Sequence, residues 1–154
     1  MSKPWHWVIK ADKTKIVDMV QFFDAELEQA RKEIKQVGVI ENIAAKLPSY
    51  HEERFGQLQQ IEAVMEVLEL EMRKLESEKF QFFLEHYRRA LSSADCKRYV
   101  EGDKEVVEQS ELINEVAYIR NQYVGIIKSL EMKAFQINNI VKLRTAGIED
   151  ARID

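Results

Sequence analysis

Between Leu58 and Phe82 the chain reads LQQIEAVMEVLELEMRKLESEKFQF, and Leu58, Ile61, Met65, Leu68, Met72, Leu75, Lys79 and Phe82 fall at alternating steps of three and four. Residues at those steps share one face of an α-helix. An alternation sustained this long is a heptad seam, the mark of a helix packed along its length on another. Lys79 is its one basic interruption.

Working outward, Ser49-Tyr50-His51-Glu52 is a capping box, in which serine and glutamate satisfy free backbone donors at a helix start. This predicts one helix from Ser49 to about Leu91. Ser92 caps a short helix that Glu101-Gly102 closes, and Asp103 caps another long one. The seam of that last helix is Leu112, Val116, Ile119, Tyr123, Ile126, Leu130, Lys133, Ile137 and Ile140. Gly147 is its stop, and Lys142 and Arg144 sit where cations complement the helix dipole.

Upstream, Ile16, Met19, Phe23, Leu27, Ala30 and Ile34 place an amphipathic helix over Asp12–Gln36, with Gly38 as its stop. The piece from Val39 to Leu47 should end before Pro48, because the residue ahead of a proline is pushed out of helical space. Trp5, Trp7 and Ile9 alternate with His6, Val8 and Lys10, the pattern of an extended arm. Such an arm either lies loosely over a helix or pairs with another chain. The expected divisions are an N-terminal arm over 1–11, one helical domain over 12–147 and a flexible tail over 148–154.

The two long helices, each about 65 Å at ~1.5 Å per residue, exceed the ~39 Å diameter of a compact sphere of this chain length. The predicted fold is therefore all-α: an elongated antiparallel hairpin of two long helices plus an N-terminal helix. That first helix covers only the base of the rod. Leu68, Met72, Leu75, Phe80, Phe82, Phe83, Val106 and Leu112 would remain along the uncovered part, a surface that a soluble monomer rarely leaves bare. They are the expected interface of a homo-oligomer, with a ring as one form.

The whole sequence has 154 residues, 45% hydrophobic and 32% charged, with five glycines and two prolines. So few turn formers exclude a sandwich of many short strands. The lone Cys96 removes disulfides and cysteine zinc sites, and points to a reducing, cytoplasmic setting (the host cytoplasm if the chain is viral). No apolar run approaches the ~20 residues of a membrane span, and the first residues lack a signal-peptide core. His6, His51 and His86 are scattered, no Glu-x-x-His pair is present, and no glycine-rich phosphate loop or nucleophile elbow occurs. No catalytic residue, metal site or cofactor is expected.

The net charge of -4 disfavours a uniform coat on nucleic acid, yet charge is unevenly spread. Residues 41–78 carry nine acidic and four basic side chains. Residues 86–104 reverse this, with Arg88, Arg89, Lys97, Arg98 and Lys104 interleaved with Tyr87 and Tyr99. Cations beside stacking rings suit a single strand, whose phosphates supply affinity while its bases stack. In a ring the small patch would repeat, and multivalency raises avidity by ~10²–10⁴-fold.

Leu84-Glu85-His86-Tyr87 followed by Arg89, then Tyr99-Val100-Glu101-Gly102-Asp103, resembles the helix end and linker of phage recombination mediators of the UvsY family. Phe135-Gln136-Ile137-Asn138-Asn139-Ile140 with Arg144-Thr145-Ala146-Gly147 is similar to that family's closing pattern. The resemblance spans about residues 80–147. It implies a helical ring that binds single-stranded DNA without sequence preference and helps a RecA-like recombinase displace single-strand-binding protein. Where the family carries lysine and arginine before this segment, the chain has Phe80, Gln81, Phe82 and Phe83, with Lys79 alone nearby. The nearest basic positions are Arg88 and Arg89, at the hairpin tip. Two readings follow. One is a non-enzymatic single-strand DNA-binding recombination accessory. The other is a coiled-coil adaptor, or an inhibitor of a host complex, that does not touch nucleic acid.

Overall fold

The structure, a computed structural model, describes residues 2–87 and 90–153. It is all-α. Helix α1 spans Trp5–Ala11 and a 3-10 turn spans Lys13–Lys15. Then follow α2 (Ile16–Ile34), α3 (Ile40–His86), α4 (Ser93–Glu101) and α5 (Lys104–Thr145). Helices α3 and α5, of 47 and 42 residues, run antiparallel along each other for about 70 and 63 Å. Among the described residues, no helix is long and apolar enough to cross a membrane.

The core lies between these rods and under α2. Leu58, Ile61, Met65 and Leu68 from α3 meet Val116, Ile119, Tyr123, Ile126 and Leu130 from α5, all buried. Helix α2 adds Ile16, Met19, Phe23, Leu27 and Ala30, the stripe its spacing predicts. It lies chiefly on α5, whereas α1 and α4 lie chiefly on α3.

Four stretches depart from the sequence reading. Trp5–Ile9 is helical, not extended. Ile9 is buried and Trp5 packs on Phe22 and Phe23 at ring distances of 5.7 and 6.4 Å. Their spacing of four puts them on one helical face and leaves Trp7 exposed. Helix α3 passes through Pro48 without ending. An interior proline costs about 3 kcal/mol. Here Ile40, Ile43 and Leu47 before it, and Leu58 and Ile61 after it, are all buried in the same core, which holds both halves in line. The same helix stops at His86 rather than Leu91. Finally, residues 148–153 turn back instead of trailing away. Arg144 Nε donates to the Ala151 carbonyl at 2.8 Å, and Ile153, buried, forms an antiparallel bridge with Gly38.

The tip also has a cover. Helix α4 folds back, chiefly onto α3, burying Cys96 and Val100. Leu68, in the core between α3 and α5, and Val106, both expected at an oligomer interface, are buried inside the subunit. Met72, Leu75, Phe80, Phe83 and Leu112 are half-buried, and Phe82 alone of that set is exposed.

Candidate functional site

The tip begins where local chemistry dictates it. Ser92 Oγ accepts from Asp95 N at 3.1 Å to start α4, and Asp103 Oδ1 accepts from Glu105 N at 3.0 Å to start α5. With Cys96 and Val100 facing inward, α4 turns Lys97 and Arg98 to solvent. Tyr99 packs, tilted, against Phe83 and Tyr87 at ring distances of 5.6 and 5.1 Å, and each tyrosine keeps 43% of its surface exposed. Among the described residues, Lys97 and Arg98 have no ion-pair partner. Lys104 is exposed beside Glu108 at 3.9 Å. The tip therefore brings Tyr87, Tyr99, Lys97 and Arg98 onto one small element pair. Arg88 and Arg89, the other two candidates, lie outside the described residues.

Acidic groups share this end. Asp95 and Glu101 are exposed on α4, and Asp103 and Glu105 lie 3.5 and 3.6 Å from Lys79. That pairing explains the basic interruption in the α3 seam. His86 stacks on Phe82 at 4.7 Å, and its Nδ1 donates to the Phe82 carbonyl at 3.2 Å. Among the described residues, no three His, Cys, Asp or Glu side chains are placed to hold a metal.

A second polar cluster, absent from the sequence reading, lies at the α2–α3–α5 junction. Arg54 is 1% exposed. Its Nε and Nη2 donate to Glu33 at 3.0 and 2.5 Å, and its Nη1 to Glu26 at 2.7 Å and Gln57 at 2.9 Å. Gln57 Nε2 donates to Glu26 at 2.8 Å, and the Tyr123 hydroxyl donates to Gln57 Oε1 at 2.9 Å. Burial alone would lower the Arg54 pKa, but the bonds to Glu33 and Glu26 outweigh it and raise it. The Gln57 bond, against some burial and with help from Arg54, holds the Glu26 carboxyl below its usual range, and burial pushes the Tyr123 phenol up. One sequence signal did exist. Stepping back four from Leu58 lands on Arg54, and Glu26 and Glu33 stand seven apart on one face of α2.

Of the four cations on α5 from Lys128 to Arg144, two, Lys133 and Arg144, are committed internally. Lys133 is buried and donates to the carbonyls of Ile34 (2.5 Å) and Gln36, closing the C-terminal end of α2 as a cation should. Burial lowers its pKa. Arg144 reaches Ala151 and, at 3.8 Å, Glu41. Lys128 and Lys142 remain exposed.

The fold and tip thus define a rod-shaped helical hairpin with an aromatic, partly cationic end. Comparison with known protein families, with curated proteins and with solved structures gives no match for this chain.

Proposed function

We propose that the chain is a non-enzymatic, cytoplasmic, self-associating accessory protein that binds single-stranded DNA at its tip and assists a RecA-like recombinase. The observation that carries this reading is the contact of Tyr87 with Tyr99 at 5.1 Å, beside Lys97 and Arg98, which are exposed on the same short helix as Tyr99 and have no ion-pair partner among the described residues. Half-exposed rings offer stacking faces to bases, and nearby cations neutralise phosphates without sequence readout. The recombinase, the displaced single-strand-binding protein and a ring assembly rest on the family resemblance alone. The test is anisotropy of a labelled oligo(dT) at several salt concentrations. Binding should weaken steeply with salt through counterion release, and the Lys97→Glu/Arg98→Glu variant should lose most of it. No anisotropy change at low salt would end this reading.

The exposed apolar surface favours a second reading, a helical module that binds protein. Tyr118, Met132 and Phe135 are the most exposed large hydrophobics of α5, and none of them is near the tip. In that case tip charge reversal would leave function intact.

A further inference from the structure

Helix α5 carries a second stripe, on its outer side. From Glu111 to Lys142, every position reached by alternating steps of three and four is exposed. The stripe is the inner seam of α5 moved on by two residues, ~200° around the helix. Because the two share one period, the outer stripe keeps its phase over the ~46 Å between its ends. Tyr118, Met132 and Phe135 lie on it at 69%, 71% and 65% exposed, the barest large hydrophobics among the described residues.

Two further features of the stripe have no use inside the subunit. Gly125 sits near its middle, where a side chain would meet nothing within 4 Å. A glycine inside a helix destabilises it relative to alanine, and a common reason to keep one is the close approach of another backbone. At the two ends stand Glu111 and Lys142, and among the described residues neither has an ion-pair partner. They are too far apart to meet each other within one chain.

We propose that a second copy of the chain docks on this stripe, two-fold and antiparallel, with the axis level with Ile126 and Ile127. Glu111 of each copy then faces Lys142 of the other, Asn114 faces Asn139, and Tyr118 faces Phe135. Nearer the axis, Asn121 packs on Met132, and the bare Cα of Gly125 leaves room for the Lys128 stem, whose ammonium reaches out to solvent. Opposite charges thus close both ends around paired amides and paired rings. A parallel pair would set Glu111, Lys128 and Lys142 each against its own copy, and like charges across an interface cost affinity. Slipping the antiparallel pair by one heptad lays Phe135 on Glu111 or on Gly125 and separates Glu111 from Lys142. Charge and side-chain size therefore select one orientation and one register. This face gives a surface to the self-association in the proposed function, on which it rests, and uses neither the tip nor DNA.

Light scattering on the full chain should give a dimer or a larger even-numbered assembly. Phe135→Asp, at an exposed position, should halve that mass while keeping the far-UV circular dichroism of the parent. Glu111→Lys and Lys142→Glu should each raise the dissociation constant about tenfold, because each change acts at two symmetric places. Combining them as Glu111→Lys/Lys142→Glu should restore it, a rescue that only a contact between copies in this register produces. Lys97→Glu/Arg98→Glu should assemble as the parent does. The proposal is overturned if the chain is a monomer or an odd-numbered assembly, if Phe135→Asp leaves the mass unchanged, or if the double charge swap gives no rescue. A chain that assembles without binding oligo(dT) loses the DNA reading alone, and a monomer that binds oligo(dT) loses only the docking face.

Discussion

Replacing Arg54 with alanine isolates the largest polar contribution to the fold. The guanidinium is 1% exposed and makes four hydrogen bonds, two of them to Glu33, whose side chain is 5% exposed. Arg54→Ala strands the Glu33 carboxylate without its partner, and breaking one side of a buried pair costs about 3–5 kcal/mol. For a chain of this size each kcal/mol shifts Tm by roughly 2–4 °C, so a fall on the order of 10 °C is expected in thermal melts followed at 222 nm. The contrasting variant is Arg54→Met/Glu33→Leu, which removes both charges and keeps apolar volume. It should recover much of the loss, because buried ion pairs often add little beyond well-packed hydrophobic replacements. Acid should act on the same cluster. Glu26 has a lowered pKa, so its contribution is present above the ordinary glutamate value of about 4.3 and is lost as pH falls through the folded-state value. An Arg54→Ala protein within 1 kcal/mol of the parent would refute this account.

Three further outcomes are expected. Tyr123 has a raised pKa from burial, so its contribution is intact below about pH 10 and declines as pH climbs through the folded-state value. Tyr123→Phe should flatten that alkaline decline in urea titrations. Pro48→Ala restores a helical N–H inside α3 and should raise stability by about 1–3 kcal/mol in the same titrations. Lys97→Glu/Arg98→Glu should reduce the slope of log K against log salt for oligo(dT) by about 1.4, at ~0.7 per lost phosphate contact on a single strand.

What could be read in advance followed how local the determining physics is. The seams around Leu58–Leu68 and Val116–Ile140 repeat over many turns, so neighbouring context could not disguise them. The caps at Ser92 and Asp103 bond to backbone groups two or three residues away, within reach of a short sequence window. Pro48 misled because its penalty is local, whereas the burial that overcomes it comes from residues on both sides packing on α5. Trp5–Ile9 is too short to separate a period of two from one of 3.6, and only the packing of Trp5 on Phe22 distinguishes them. Leu68 and Val106 were recognisably apolar, but sequence could not say that α5 and the tip turn would cover them. Arg54 stands four residues before the start of the α3 seam, but its carboxylate acceptors lie 21 and 28 residues away. The tip was legible in composition and not in geometry, since the Tyr87–Tyr99 contact depends on how α4 folds back.

Two long greasy seams have a weakness, which is that sliding one past the other by a heptad, ~10 Å, leaves leucine facing isoleucine much as before. The oriented polar contacts do not tolerate such a shift. Gln109 reaches the Leu68 carbonyl at 2.9 Å, Tyr123 finds Gln57, and Lys133 fits the end of α2. Spaced along α5 at unequal intervals, they act like the wards of a lock, and only one phase of the hairpin lets all of them engage. The oils hold the rods together; these few donors decide where along the rods they stop.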